Sequence, residues 1–150
     1  MKYCNNKGFS FIELAIVIVL MGIILGIAYP KFERSMANWE LNVTARKMAT
    51  DIRRWQQKAV TEEKSGLKLT INQEQKIYYL KEDIYIKETH DLSDVVKSIS
   101  VAPVTFNNIN FTPTGKTSAA GTITLENWDG GFKYIIVNTT GRVRVSSTRP

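Results

Sequence analysis

A single carboxylate, that of Glu13, lies near the start of an apolar run that extends from Phe9 to Tyr29. These 21 residues would form a helix of roughly 30 Å, which is the hydrocarbon thickness of a bilayer. A charge inside such a helix costs about 2.5 to 3.5 kcal/mol near its centre, and it is retained where a partner or a function compensates. The run contains no Lys or Arg. We therefore expect Glu13 to find its partner elsewhere than among the side chains of the run.

The basic carboxy-terminal end is a second group of residues with a chemistry of its own. The segment 132–150 contains no acid and four bases: Lys133, Arg142, Arg144 and Arg149. Alternation along a strand would put Arg142 and Arg144 on one face, and Lys133 on the partner strand would join them. Guanidinium groups suit phosphate oxygens, so this face could bind a nucleic-acid backbone independently of base sequence. Two alternatives stay open: contact with an acidic neighbouring subunit, or solubility and protection of a strand edge.

His90, the only histidine, has acidic residues nearby in the sequence: Glu88, Asp91 and Asp94. Such residues can ligate a metal, but a polar surface loop is the more ordinary structure for them, and we predict a loop. The sequence suggests no Ser/His/Asp arrangement and no paired carboxylates for acid–base work. We therefore predict a non-enzymatic protein that has neither a cofactor nor a metal site.

The residues that flank the apolar run predict its orientation in a membrane. Lys2 and Lys7 precede it without an acid, and the positive-inside bias would keep that end cytoplasmic and send the rest of the chain outward. Residues 28–30, Ala-Tyr-Pro, fit poorly to the small-residue cleavage site of an ordinary secretory signal. We predict a single-pass membrane protein with an extracytoplasmic head. Since the only cysteine is Cys4, that head must be stabilised by packing alone.

An amphipathic helix is predicted to follow the apolar run. From Lys31 to about Lys64 the chain has neither Pro nor Gly, and apolar residues recur at steps of three and four: Leu41, Ala45, Met48, Ile52, Trp55 and Ala59. This stripe is expected to pack on the head. Arg53 and Arg54 lie off the stripe, and we interpret them as a solvated face rather than a partner site.

A β-rich head is predicted after the glycine stop at Ser65-Gly66, where the hydrophobic period changes from 3.6 to 2. Short runs of β-branched and aromatic residues alternate with polar turns, as in an antiparallel meander. The predicted strands cover 67–71, 76–80, 84–86, 99–106, 109–112, 121–125, 132–138 and 142–146. The fold class is therefore α+β: a long amino-terminal helix, membrane-spanning in its first half and amphipathic in its second, packed on an antiparallel head.

The amino-terminal residues Lys7-Gly8-Phe9-Ser10-Phe11-Ile12-Glu13-Leu14 closely resemble the type IV prepilin signature. The resemblance implies that a prepilin peptidase cuts between Gly8 and Phe9 and methylates the new amine of Phe9. It also implies that Glu13 pairs with that ammonium group, within or between subunits, when the helix leaves the membrane for a filament. Gly22 and Pro30 stand where pilins typically carry a helix-loosening glycine and a kinking proline.

The carboxy-terminal part is similar to the end of GspH/FimT-type minor pilins and pseudopilins, which often close with a Gly-Arg-x-Arg hairpin. Here that motif is residues 141–144. The implied organisation is a leader at 1–8, a membrane and assembly helix at 9–30, and an amphipathic helix with a pilin head at 31–150. The implied function is that of a minor type IV pilin, in a surface filament with other pilins, whose basic hairpin binds double-stranded DNA in natural transformation. A minor pseudopilin of a type II secretion system, with a periplasmic filament, is the alternative.

Overall fold

The structure is a computed structural model, and it describes residues 10–149. The chain divides between Met36 and Ala37 into two compact units. The positions of the predicted peptidase site, Gly8 and Phe9, lie outside the described residues.

One α-helix, α1 (Phe11–Thr61), includes the first unit from Phe11 to Met36 and extends past Ala37 into the second. In the first unit its side chains are exposed almost throughout, and this stretch is long and apolar enough to cross a membrane. Pro30 lies inside the helix, and the helix also continues through Gly22. In the second unit one face of α1 is buried. All six residues of the predicted stripe are at most 3% exposed, which confirms the amphipathic pattern.

The second unit contains two four-stranded antiparallel sheets. The strands of the first sheet, in spatial order, are β3 (Tyr85–Asp91), β2 (Ile77–Glu82), β1 (Leu67–Asn72) and β5 (Asn108–Asn110). Those of the second sheet are β4 (Ser98–Ala102), β6 (Gly121–Glu126), β7 (Phe132–Val137) and β8 (Val143–Ser146). The α+β class and the long helix are thus as predicted.

A single hydrophobic core fills the second unit. It joins the buried face of α1 to alternate residues of both sheets, among them Leu69, Leu80, Ile123 and Ile135. Most of the outward residues between these positions are polar, such as Thr70, Lys81 and Thr124, as expected where one sheet face is packed and the other is solvated. Ile136 and Phe132 are apolar exceptions on the outer face of the second sheet. The core therefore fixes which side of each strand faces solvent, and with it the side chains available for binding.

The predicted strand over 99–106 is wrong in its second half. Strand β4 ends at Ala102, and a 3₁₀-helix at Val104–Asn107 follows Pro103. Proline has no backbone N–H to donate to a sheet, and its carbonyl instead accepts a bond from the Phe106 amide at 2.9 Å. The predicted strand over 84–86 was too short, because β3 continues to Asp91.

Candidate functional site

Glu13 has a local partner at the start of α1. Its carboxylate accepts a hydrogen bond from the Ser10 amide at 2.8 Å, while the Ser10 hydroxyl accepts one from the Glu13 amide at 3.3 Å. This is a capping box, in which two amides at a helix start are bonded reciprocally. Sequence analysis missed it, although Ser-x-x-Glu before an apolar run is its ordinary signature. The Glu13 carboxylate is thus held at the start of the helix by hydrogen bonding within the chain itself.

Gly22 and Gly26 leave two open positions on the helix surface, four residues apart. Apart from the local helix backbone and the two adjoining residues, a Cβ atom added at either glycine would meet no described atom within 4 Å. Small residues at this spacing permit another helix to approach closely. The assembly roles of Gly22 and Pro30 stay predictions.

Arg142 and Arg144 lie together at the outer face of the second sheet. Arg144 is opposite Ile136 in the register of β7 and β8, and both arginines line one concavity of about 120 Å³ with Ile136 and Asn138. Both side chains are exposed, and among residues 10–149 neither forms an ion pair. Strand β8 begins at Val143, so Arg142 precedes the strand rather than opening it. The shared face predicted for the two arginines is confirmed.

Arg149 and Lys133 lie on different sides of the second sheet. Arg149 lines an outer-face groove of about 510 Å³ with Tyr134 and Thr124. Lys133 is opposite the inward-facing Leu125 and next to Tyr134, which faces outward, so its side chain lies on the inner side of the sheet. It donates a hydrogen bond to the Ser147 hydroxyl at 2.6 Å. The expectation that Lys133 joins Arg142 and Arg144 on one face is therefore wrong, because a residue of β7 one position away from the outer row points to the other face.

Gly141 sets the direction of the chain just before the two arginines. Its φ of +85° lies in the left-handed region, and a Cβ there would come within 2.0 Å of the Gln56 amide nitrogen and 2.2 Å of the Gly115 carbonyl oxygen. The turn is closed by a hydrogen bond from the Gly141 amide to the Asn138 carbonyl at 2.8 Å. The glycine of the Gly-Arg-x-Arg motif thus has a structural role, which is to hold the turn against α1.

A buried polar network, which sequence analysis missed, joins α1 to the first sheet. Asp51 is 7% exposed and accepts hydrogen bonds from the Tyr78 hydroxyl at 2.7 Å and from Arg54 at 3.1 Å. Arg54 also donates a hydrogen bond to Glu88, and this bond lowers the pKa of the Glu88 carboxyl. Burial raises the pKa of the Tyr78 hydroxyl, and its hydrogen bond to Asp51 raises that pKa further. The His90 ring stacks on Tyr78 at 4.7 Å. The network joins strands β2 and β3 to the helix.

The network corrects two expectations. His90 lies on β3 and not in a loop, with its Nε2 atom 3.3 Å from Glu88 and 3.7 Å from Asp51. Within the described residues, no group of three or more His, Cys, Asp or Glu is arranged to hold a metal. The interpretation of Arg53 and Arg54 as a solvated face is incomplete. Both are exposed, but Arg54 joins this network and Arg53 donates to the Val143 carbonyl at 2.7 Å.

Comparison with known proteins concerns the amino terminus and the fold. The family described as the prokaryotic N-terminal methylation motif matches residues 3–29. The crystal structure of the type IV minor pilin FimU of Pseudomonas aeruginosa strain PAO1 is similar, with a TM-score of 0.59 and 13% sequence identity, over 71% of this chain and 88% of that chain. No curated protein matches the sequence. At this identity the likeness to FimU concerns the fold, and it confirms the predicted pilin-like architecture.

Proposed function

We propose that this chain, a type IV pilin or pseudopilin by its methylation motif and its fold, is a minor subunit of a type IV pilus. The observation that carries the proposal is the combination of that motif with a FimU-like head. Pilins are structural and not enzymatic, so the functional surfaces are those that bind other molecules. The apolar helix and the motif fit a membrane-anchored pilin that is assembled into a surface filament. Recovery of the chain in the sheared-filament fraction tests the subunit role.

Processing and topology follow from the same proposal. Prepilin peptidase cuts after Gly8 on the cytoplasmic side and methylates Phe9, and the head lies outside the cytoplasmic membrane. Glu13 then pairs with the ammonium group of Phe9 as subunits pack together. An ion pair of this kind is strong where water is excluded, and it compensates the carboxylate for leaving water. Gly22 and Pro30 serve the same packing of helices.

The outer face of the second sheet is proposed to bind double-stranded DNA. Arg142 and Arg144 line one concavity, both are exposed, and neither forms an ion pair with another described residue. Arg149 lies on the same face. Unpaired guanidinium groups on a sheet face can donate to successive phosphates without reading bases. Lys133 is left out of this proposal because it belongs to the opposite face.

Replacing both arginines tests the DNA proposal. We expect the double variant Arg142→Gln and Arg144→Gln to weaken binding of a random-sequence duplex by at least about tenfold at low salt, because charge-assisted bonds to phosphate are lost. The slope of log affinity against log salt should fall by about two. The measurement is a salt series with the full-length chain in a non-ionic detergent.

The matched control is a second double variant that also removes two positive charges, but from the side of the head that carries the first sheet. Lys64 and Lys87 both pair with Glu82, and Lys64→Gln with Lys87→Gln leaves the outer face intact. Equal weakening by both double variants would show that net charge, and not this face, attracts DNA. If the wild-type chain does not bind at low salt, the arginines are better explained as a contact with a neighbouring subunit. The secretion pseudopilin then becomes the leading hypothesis.

A further inference from the structure

A second basic groove lies beside the face that carries Arg142 and Arg144. It runs between α1 and the free edge of β8, has a volume of about 420 Å³, and is lined by Arg46, Ala49, Thr50, Arg53, Arg144 and Val145. Strand β8 is the last strand in the order of the second sheet, and within the described part of the chain no further strand pairs with its outer edge. In the part of the chain that the structure describes, no carboxylate lines the groove. Three guanidinium groups therefore face one open volume without a counterion from the described residues.

Arg144 belongs to both concave regions. It lines the outer-face concavity with Arg142 and the edge groove with Arg46 and Arg53. The basic surface thus continues from the outer face of the sheet around its edge to the helix. A chain of evenly spaced negative charges can follow such a surface, whereas a single carboxylate or one acidic side chain would occupy only part of it.

The two helix arginines differ in how they are held. Arg53 donates to the Val143 carbonyl at 2.7 Å, which uses one of the five donors of its guanidinium group and fixes the group at the strand edge. Among residues 10–149, the Arg46 side chain makes one hydrogen bond, a long one of 3.5 Å to the Asn42 side chain, on an exposed part of the helix. Arg46 is therefore free to engage a ligand, and replacing it should not disturb the fold.

We propose that this groove is a second phosphate-binding subsite, in which Arg46 and Arg53 hold the backbone of the same DNA duplex that Arg142 and Arg144 bind. The inference rests on the proposed function and extends it from a hairpin to a strip that crosses the strand edge. The ligand chemistry is the phosphodiester backbone, and it carries no base specificity. Arg46 adds a phosphate contact that the carboxy-terminal motif alone does not supply.

The test compares substitutions at two neighbouring residues of α1, Arg46 and Lys47. Binding of a random-sequence duplex is measured for each full-length variant in a non-ionic detergent. Arg46→Gln should weaken binding about three- to tenfold at low salt and reduce the salt slope by about one. Lys47→Gln removes the same charge, but Lys47 lies about 100° around the helix and does not line the groove. It should leave the slope unchanged. Arg46→Lys keeps the charge and should restore most of the slope.

Three outcomes overturn the inference. If Arg46→Gln and Lys47→Gln have equal effects, the helix contributes only net charge. If Arg46→Gln binds as the wild type does while the Arg142/Arg144 double variant loses binding, the hairpin acts alone and the proposed function survives without the groove. If the wild-type chain binds no duplex, the proposed DNA function and this inference fail together. Thermal unfolding of each variant confirms that the head is intact.

Discussion

Replacing Asp51 by alanine is expected to destabilise the head by about 3 kcal/mol, because it removes a charge-assisted bond and leaves a buried hydroxyl without a partner. Asp51 is 7% exposed, and the Tyr78 hydroxyl that it binds belongs to a side chain that is 1% exposed. Arg54 and His90 also face the carboxylate, at 3.1 and 3.7 Å. A loss of this size should lower the melting temperature by roughly 10 to 15 °C.

Two further variants make the Asp51 prediction specific. Tyr78→Phe keeps the carboxylate with its arginine and should cost about 1 kcal/mol. Glu40→Ala removes an exposed carboxylate from the same helix and should change the melting temperature by roughly 2 °C or less. The network also depends on pH through Glu88, whose pKa lies below its ordinary 4.5, so its contribution is present at neutral pH and lost as pH falls through the lowered pKa. A melting temperature of Asp51→Ala equal to that of Glu40→Ala would contradict the role of the network.

Replacing Glu13 is expected to leave processing intact and to lower incorporation into filaments by about tenfold or more. In the proposed processing the peptidase site lies before Phe9, whereas the proposed pairing requires the carboxylate later, when the new ammonium group packs away from water. A pairing worth about 1.4 kcal/mol accounts for a factor of ten. The measurement is the ratio of mature Glu13→Ala protein in the sheared-filament fraction to that in the membrane.

Glu13→Gln separates the charge from the capping box. Glutamine at this position can still accept from the Ser10 amide, whose distance to the Glu13 carboxylate is 2.8 Å, so the helix start is preserved. If pairing with Phe9 is the reason for the carboxylate, the glutamine variant assembles as poorly as the alanine variant. Normal assembly of Glu13→Gln would mean that Glu13 serves only to cap the helix.

The elements that follow from hydrophobic period were predictable from sequence. The stripe on α1 packs at every predicted position, since spacing alone determines which helix face can bury apolar area. Strand ends were less predictable, because Pro103 ends β4 inside an apolar run that otherwise favours a strand. Lys133 shows a further limit. Which strand residues point outward depends on the register with neighbouring strands, and a shift of one residue reverses the face.

The buried network could not be assembled from sequence because its members are distant along the chain. Asp51, Tyr78 and His90 come from α1, β2 and β3, and only the antiparallel pairing of β2 with β3 brings Tyr78 beside His90. One clue was present. Asp51 lies between Met48 and Ile52 on the apolar stripe, where a carboxylate must find a buried donor. The edge groove was hidden for the same reason, since Arg46 and Arg144 are adjacent only in the folded head.

The most direct test of the central claim is the mass of the amino-terminal peptide of the chain, recovered from sheared filaments. A type IV pilin processed after Gly8 gives a peptide that begins with methylated Phe9 and retains Glu13. A peptide that begins with Met1, or one that results from a cut after the apolar run, would contradict processing by a prepilin peptidase. Each of these two contradicting results would remove the reason to assign Glu13 a role in assembly.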